Sequence, residues 1–262
     1  MNRFRRLRPL LPFAAAALVA GFVAGCATPP SNPEDRAEYD ATNDPLEPLN
    51  RHIFNFNRGV DFWLLRPVTV TYRELVPDAV QKMVTNFLSN LRQPLAAANA
   101  LLQNNPERAG QAFGRFVTNT FVGVGGLFDA MPDVPAVNED FGQTFAVWGS
   151  GEGPYLMLPF IGPSNPRDAA GLAVEYFVDP VDLVLSNHFD AAYLSNVRLG
   201  AEAVDDRSNN IDTLDEIERT SLDFYAVVRS LYRQRRSDEI RNGERPTTPP
   251  SGGRIFSETQ KQ

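Results

Sequence analysis

Few side chains in this sequence of 262 residues have the chemistry and spacing that catalysis or metal binding requires. The chain contains two histidines, His52 and His188, and one cysteine, Cys26. Neither histidine has a second ligand at the spacing of a zinc site, and a single cysteine excludes an internal disulfide and a cysteine-based metal cage. We therefore expect no metal and no cofactor.

The remaining candidates for enzyme chemistry are incomplete. His188 and Asp190 could form two members of a serine triad. However, Ser150 stands in Trp-Gly-Ser-Gly-Glu-Gly, one position away from the Gly-x-Ser-x-Gly pattern of a nucleophile elbow. The Gly-Val-Gly-Gly run at 123–126 is similar to a dinucleotide-binding loop, but it lacks the third glycine and a surrounding strand–helix–strand unit. The sequence thus predicts a protein that is not an enzyme, with a serine lipase left as an alternative.

The segment 121–168 holds the densest apolar pattern of the chain. In it, glycines alternate with aromatic and aliphatic residues in three blocks, 121–129, 140–149 and 153–163. Glycine is favoured where the backbone takes a positive φ or approaches another group closely, and the apolar residues between the glycines need burial. We predict a compact apolar loop system with positive φ at Gly125 and Gly126 and a tight turn at Gly123.

The first 25 residues are typical of an export signal. Four arginines within residues 3–8 precede an apolar run over 10–23 that is too short for a stable membrane span. The sequence Val-Ala-Gly-Cys that ends at Cys26 resembles the lipobox of bacterial lipoproteins, which implies cleavage before Cys26 and acylation of that residue. A spare thiol beside an ordinary cleavage site is the alternative. Because Ala27 and not aspartate follows, the resemblance implies a lipid anchor on the periplasmic side of the outer membrane.

The charge and composition of the mature chain divide it into three parts. Without residues 1–25 the chain has 21 basic and 32 acidic residues, a net charge of about −11, so nucleic acid is not an expected partner. Residues 26–43 are rich in proline and predict an acylated, flexible tether, whereas residues 242–262 predict a disordered polar tail. Residues 44–241 remain as a single folded domain.

The periodicity of residues 44–241 indicates a mainly α domain of several amphipathic helices with glycine-rich loops. Prolines mark the expected helix ends, because a proline lacks an amide donor and restricts the residue before it. The pattern predicts an extended piece at 155–158, a short helix from Asp179 and helices over 43–66, 77–91, 94–102, 106–122, 141–148, 166–177 and 191–241, the last with a break or kink near 205–210. In the helix 106–122, one apolar face is expected to hold Ala109, Ala112, Phe113, Phe116, Val117 and Phe121. Near the C-terminus, a solvated face is expected to hold Glu216, Glu218, Arg219, Arg229, Arg233, Arg235 and Arg236.

The first helix is apolar on two sides, which is typical of a helix that is either deeply buried or partly exposed to lipid. Within it, Phe54, Asn55, Phe56 and Asn57 alternate large rings with amides, and amides in apolar surroundings need hydrogen-bond partners. These four residues are our candidates for the mixed lining of a channel. Arg115 and Arg167 are candidates for contact with a phosphate, and for Arg167 an ion pair with Asp168 is the alternative.

Several motifs follow one another in order along residues 43–168. They are Asn43-Asp-Pro-Leu-Glu-Pro-Leu-Asn50 with Phe54-Asn-Phe-Asn57, Asn119-Thr-Phe-Val-Gly-Val-Gly-Gly126 with Asp129, Asp140-Phe-Gly-Gln-Thr144, Trp148-Gly149, Gly153-Pro-Tyr155 with Leu158-Pro159, and Gly162-Pro-Ser with Arg167-Asp168. Together they resemble the MlaA (VacJ) family of outer-membrane lipoproteins, and the resemblance covers about residues 43–235. Candidate loop and structural residues are those of the motifs: Gly123, Gly125, Gly126, Asp129, Asp140, Gly142, Gln143, Trp148, Gly153, Pro154, Tyr155 and Arg167.

The resemblance implies a ring-like, mainly helical protein embedded in the inner leaflet of the outer membrane, with an amphipathic central channel. Such a protein removes mislocalised glycerophospholipids from the outer leaflet and passes them to the periplasmic lipid carrier MlaC. It also implies association with trimeric porins, and neither a cofactor nor a bond-making step. The alternatives that we keep are a structural lipoprotein that tethers a porin or assists its assembly, and a lipid hydrolase that uses Ser150.

Overall fold

The computed structural model of the protein describes Asn32, residues 42–188 and residues 193–243, with only the backbone described for 186–188. The predicted export signal, the lipobox with Cys26 and the polar tail from residue 244 lie outside the described residues. The helices are α1 (Glu47–Val60), α2 (Arg66–Leu75), α3 (Asp78–Leu102), α4 (Pro106–Phe121), α5 (Phe141–Val147), α6 (Pro166–Val178), α7 (Pro180–His188), α8 (Tyr193–Thr220) and α9 (Phe224–Ile240). A π-helical turn, Asp61–Leu65, joins α1 to α2, and two short strands, β1 (Leu156–Leu158) and β2 (Gly162–Ser164), form an antiparallel hairpin. The prediction of a mainly α protein is confirmed, and in the described part of the chain no helix has the length and apolarity to cross a membrane.

The helical path from Glu47 continues past Pro67 to Leu75, so the prediction that the first helix stops before Pro67 is wrong. In the π turn, the Arg66 amide bonds to the carbonyl of Asp61, five residues earlier. This wider turn changes the hydrogen-bond register just before the proline. Pro67 then occupies the first turn of α2, a position that tolerates proline.

Helix α3 also continues through a proline, Pro94, where the sequence predicted two separate helices. Just beyond Pro94, the buried Ala96 and Ala97 pack together with Ala112 of α4 and with Val137. These small side chains allow close approach of the two helices, and their packing offsets the loss of one backbone hydrogen bond at Pro94.

The buried side of α4 differs from the predicted apolar face. Ala109 and Ala112 are buried, but Phe113 and Phe121 are exposed. The polar Arg115 and Asn119 are buried in their place, because they bind the loop that follows α4. Arg115 bonds to the carbonyls of Met131 and Val134, and Asn119 Oδ1 accepts from the Ala130 amide at 2.8 Å.

The sequence predicted a break or a kink near 205–210, but helix α8 is continuous from Tyr193 to Thr220, so the chain has no break there. The polar side chains there are buried because they have partners on other helices: Asp205 accepts from Thr85 at 2.6 Å and Arg207 from α8 bonds to Asp61 at 2.9 Å. The chain breaks later, at 221–223, where Asp223 caps α9 by accepting from the Ala226 amide.

Candidate functional site

Helix α1 holds the β-hairpin with two asparagines that are seven residues apart. Asn50 donates to the Tyr155 carbonyl at 3.0 Å and accepts from the Met157 amide at 2.9 Å. Asn57 donates to the Leu158 carbonyl at 2.9 Å and accepts from the Phe160 amide at 2.8 Å. Asn50 and Asn57 lie two turns apart on one face of α1. Their side-chain amides bond to the backbone of the hairpin, in the way that the backbone of a neighbouring strand would.

The four predicted lining residues of α1 have different positions. Phe54 is buried with Tyr155, Met157 and Tyr225 in an aromatic cluster, and its ring centroid lies 5.4 Å from that of Tyr225. Asn55 is exposed. Phe56 is also exposed and packs edge-to-face on Phe160 at the hairpin tip, with ring centroids 5.1 Å apart. Asn57 is hydrogen-bonded to the hairpin backbone, as described above.

A cavity of about 1070 Å³ lies between α1, the π turn, the hairpin tip and helices α8 and α9. We call it the α1 cavity. Phe54, Asn55 and Asn57 are among its lining residues, and Phe56 is not. The structure thus brings three of the four predicted residues to one cavity; that a lipid passes there remains a prediction.

One part of the α1 cavity is charged. Arg207 binds Asp61 at 2.9 Å and Asp215 at 3.1 Å, and Arg66 binds the other oxygen of Asp215 at 2.7 Å. The hydrogen bond from Arg66, followed by that from Arg207, lowers the pKa of Asp215 although burial opposes the shift. The sequence pattern gave no sign of this network, because its members lie about 150 positions apart in the chain.

Another part of the α1 cavity is aromatic and aliphatic. Phe62 and Trp63 from the π turn, and Phe160 and Ile161 from the hairpin tip, line it and are largely exposed, Trp63 to 80% and Phe160 to 75%. Exposed apolar groups next to a paired charge network make the cavity amphipathic. Such a lining suits a molecule with a charged head and apolar tails.

A second cavity of about 670 Å³ adjoins the first, since both are lined by Pro163 and Leu214. We call it the α6–α9 cavity after the helices that contribute most of its charged residues. Its polar residues include Asp168, Glu175 and Arg236.

Arg236 of α9 connects the motifs of the glycine-rich segment. It binds Asp140 at 2.5 and 2.6 Å and Asp168 at 2.8 and 3.1 Å. Burial alone would raise the pKa of both carboxyls, but the hydrogen bonds from Arg236 hold both pKa values below the ordinary range. The prediction that Arg229 and Arg236 belong to a solvated face is wrong, because both are largely buried in ion pairs, Arg229 with Asp44 at 2.7 Å. Arg229, Tyr232 and Arg236 have a helical spacing that places them on one face, and this spacing was the sequence feature that could have indicated their burial.

Comparison with known proteins gives the same family as the sequence motifs. Residues 42–239 match the profile that describes the MlaA lipoprotein. The chain belongs to the MlaA lipoprotein family. The intermembrane phospholipid transport system lipoprotein MlaA of Escherichia coli strain K12 is 34% identical over 239 residues, which cover 89% of this chain and 90% of that protein. An uncharacterized protein of Rickettsia bellii is 36% identical over 200 residues, which cover 75% of this chain and 76% of that protein.

The similarity to the MlaA family extends to three-dimensional structure. A solved structure from work on the structural basis for maintenance of bacterial outer membrane lipid asymmetry matches with a TM-score of 0.66 at 33% identity. The match covers 75% of this chain and 98% of that chain. The helices described above therefore form the MlaA fold.

The first glycine-rich motif of this MlaA-family chain forms the turn after α4. The predicted positive φ is confirmed at Gly125, with 73°, and at Gly126, with 92°. Gly123 lacks a positive φ, but a methyl group there would lie 2.1 Å from the carbonyl oxygen of Phe128, so its backbone approach requires glycine. Asp129 closes the turn through an ion pair with Arg115 at 3.0 Å, which occupies the arginine that we had considered for a phosphate.

The second motif is the crossing of α5 and α6. Asp140 caps α5 by accepting from the amide of Gln143, whose side chain is fully buried. A methyl group on Gly142 would lie 2.4 Å from an Arg236 nitrogen, and one on Gly171 would lie 2.4 Å from the Gly142 amide nitrogen. The two helices thus touch backbone to backbone.

The remaining motif residues make contacts in several parts of the protein. The Trp148 indole donates to the Leu102 carbonyl at 3.0 Å, and the carbonyl of Gly153 accepts from Asn43 at 2.6 Å. Pro154 is half-buried and Tyr155 is buried in the aromatic cluster. For Arg167, the alternative of an ion pair is confirmed, because Nε binds Asp168 at 3.0 Å. These residues all have structural contacts within the protein.

Of the serine triad considered for enzyme chemistry, the structure describes the side chain of Ser150. Ser150 is exposed, with its hydroxyl 3.5 Å from the Gly151 carbonyl, and His52 is exposed on α1. The side chain of His188 and Asp190 lie outside the described residues. Among the residues that are described, no group of three or more His, Cys, Asp or Glu could hold a metal ion.

Proposed function

We propose that this protein removes mislocalised phospholipids from the outer leaflet of the outer membrane and passes them through its two adjoining cavities, which maintains the lipid asymmetry of that membrane. The observation that carries the proposal is the mixed lining of the α1 cavity, in which the Arg207 ion-pair network adjoins the exposed rings of Trp63 and Phe160. A phospholipid that leaves a bilayer must keep its charged head and its apolar tails solvated. A cavity with both kinds of wall lowers both desolvation costs.

The names of relatives support this function. The Escherichia coli relative is an intermembrane phospholipid transport lipoprotein, and the matched structure comes from work on outer-membrane lipid asymmetry. The present chain covers 90% of the former and 98% of the latter, so the similarity extends over nearly the whole length of both.

The protein surface supports a position among lipids. Large apolar side chains are exposed on several helices and loops: Phe121, Tyr176, Phe177, Tyr193, Leu199 and Leu222. In water such exposure is costly, whereas acyl chains solvate these groups well. We propose that the helices form a ring-like body in the inner leaflet, held on the periplasmic side by acylation of Cys26, because several acyl chains anchor more strongly than one.

Two partners follow from the same proposal. A lipid that leaves the cavities into the periplasm needs a soluble carrier, for which MlaC is the candidate, and a trimeric porin is the candidate membrane partner. No bond is made or broken in this transport. The alternative function, a structural lipoprotein that assists porin assembly, predicts altered porin trimers with normal surface lipid.

The test uses a deletion strain complemented with the wild-type protein or with Asn55→Phe, which adds bulk inside the α1 cavity. His52→Phe places the same phenyl ring on the exposed side of α1, outside the cavity lining, and is the matched control. Phosphatidylethanolamine on the cell surface is measured with a membrane-impermeant amine-reactive reagent. Native mass spectrometry of the detergent-purified proteins measures bound phospholipid.

We expect surface phosphatidylethanolamine to rise in the deletion strain, to return to normal with the wild-type protein and His52→Phe, and to stay high with Asn55→Phe. Purified wild-type protein should carry phospholipid. An unchanged surface lipid in the deletion strain together with a lipid-free purified protein would refute transport. A loss of porin trimers with normal surface lipid would favour the structural alternative.

A further inference from the structure

The α6–α9 cavity carries an excess of negative charge. Its charged lining residues comprise four carboxylates and two guanidinium groups: Asp140, Asp168, Glu175, Glu239, Arg235 and Arg236. The cavity of about 670 Å³ is in the size range of small-molecule sites. A cationic group is therefore favoured inside it over an anionic one.

Three of the four carboxylates are paired with the cavity's arginines. Arg236 binds both Asp140 and Asp168, and Arg235 binds Glu239 at 2.8 Å. Glu175 differs, because one of its oxygens accepts from the Phe141 amide at 2.8 Å and no donor among the described residues reaches the other. The free carboxylate oxygen thus belongs to a residue that lines the cavity and has no ion pair.

The position of Glu175 is electrostatically unfavourable without a ligand. Burial raises its pKa to about 7, and the nearby Asp140 and Asp179 act in the same direction, whereas the Phe141 amide and Arg236 oppose the shift. A cation beside the free oxygen would relieve this cost.

The cavity also has an apolar wall. Leu172 of α6, Leu214 of α8 and Val228 and Leu231 of α9 line it, and Leu172 and Leu231 remain exposed, so the apolar wall reaches the protein surface. A ligand that fits both features carries a cationic group next to an apolar body.

We propose that the α6–α9 cavity binds the primary ammonium headgroup of an aminophospholipid, with Glu175 as the acceptor and the leucine side chains against the apolar part of the lipid. The inference rests on the phospholipid transport proposed above, and it adds a headgroup class to it. A primary ammonium has three donors for the free carboxylate oxygen. A headgroup whose only charge is the phosphate brings no donor of that kind and meets the excess of negative charge.

The experiment is lipid competition on the full-length, detergent-purified protein, read by native mass spectrometry. Equal amounts of phosphatidylethanolamine and phosphatidylglycerol are offered to the wild type, to Glu175→Gln and to Glu107→Gln. Glutamine keeps an acceptor for the Phe141 amide, removes the charge and replaces the other oxygen with an amide NH2 group, which cannot accept from an ammonium. Glu107, exposed in the first turn of α4 and outside the cavity lining, is the matched control for the loss of one negative charge.

We expect the wild type and Glu107→Gln to prefer phosphatidylethanolamine by about tenfold, the effect of one charge-assisted hydrogen bond, and Glu175→Gln to show no preference. Equal binding of both lipids to the wild type, or an unchanged preference in Glu175→Gln, would overturn the inference while leaving the transport function standing. A wild-type protein that binds neither lipid would overturn both.

Two further arms use the wild-type chain alone and so do not depend on how a variant folds. N-acetylated phosphatidylethanolamine keeps the phosphate and the acyl chains but lacks the ammonium, and we expect it to bind about as weakly as phosphatidylglycerol; binding equal to the unmodified lipid would contradict the inference. Glycerophosphoethanolamine carries the ammonium without acyl chains. If it displaces the lipid at equal concentration, the assignment to a lipid ligand is wrong.

Discussion

Replacement of Glu175 by glutamine should stabilise the protein at alkaline pH and leave it unchanged in acid. Burial, the main cause, raises the pKa of Glu175 from its ordinary value of 4.5 to about 7. Between these values the unfolded chain has lost this proton and the folded chain has kept it. The folded state binds more protons, so stability falls as the pH rises through this window. The Glu175→Gln variant has no titrating group at this position, so its stability does not show this decline.

The magnitude follows from the two pKa values of Glu175. The difference between about 7 and 4.5 corresponds, at ~1.4 kcal/mol per pH unit, to ~3 kcal/mol. Because the side chain is in contact with the cavity and only partly shielded from water, we expect ~2 kcal/mol of this at pH 8. For a domain of this size that gain raises the melting temperature by about 4–8 °C.

The assay is thermal unfolding of lipid-free protein in detergent, followed by tryptophan fluorescence at several pH values from 4.5 to 8.5. The Arg236 ion pairs are lost in acid in both the wild type and the variant. Their effect therefore cancels in the difference between the two melting temperatures. Glu107→Gln, which changes an exposed carboxyl, should track the wild type throughout. A difference between Glu175→Gln and the wild type that is the same at pH 4.5 and pH 8.5 would refute the argument from burial.

Four other changes probe the scaffold. Gly171→Ala should lower the free energy of unfolding by about 3 kcal/mol, since its methyl group meets backbone at 2.4 Å. Gly110→Ala in α4, which meets nothing within 4 Å, should raise it by ~0.5–1 kcal/mol in the same denaturation assay. Asn57→Ala should speed hydrogen exchange of the Phe160 amide at least tenfold in mass spectrometry, because that amide loses its acceptor. Phe54→Ala should cost ~3–5 kcal/mol in denaturant titration, and a cost below 1 kcal/mol would contradict its place in the aromatic cluster.

The sequence predicted the starts of those helices that are capped by a neighbouring side chain. Asn165 caps α6 and Asp140 caps α5 through bonds to amides three positions ahead, and both helices begin where the sequence predicted. Pro67 and Pro94 misled the prediction, because the local cost of a missing amide is offset by a π turn in one case and by packing against α4 in the other. Neither compensation is visible in a window of neighbouring residues.

The candidate site was predictable in its location and not in its bonding. The alternation of rings and amides at 54–57 pointed to the helix that lines the α1 cavity. That Asn57 is bound to a hairpin 101 positions later, and that Arg236 is bound to Asp140, could not be inferred from spacing. An arginine on a helix resembles any solvated arginine until the partner's position in the fold is known.

The described part of this protein buries many polar side chains beside its apolar clusters and exposes several large rings. Among the residues that the structure describes, the largest fully buried side chains are Gln143, Asn50, Asn99, Thr69, Thr144 and Asp44, while rings such as Trp63 and Phe121 are exposed. An interior of this kind is stabilised by directional bonds, and a buried group that loses its partner keeps the full cost of desolvation. Removal of one interior partner such as Asn50 should therefore destabilise the protein in any solvent. Truncation of Trp63 or Phe121 should matter mainly where lipid or detergent covers the surface, and this contrast separates a membrane-seated fold from one adapted to water.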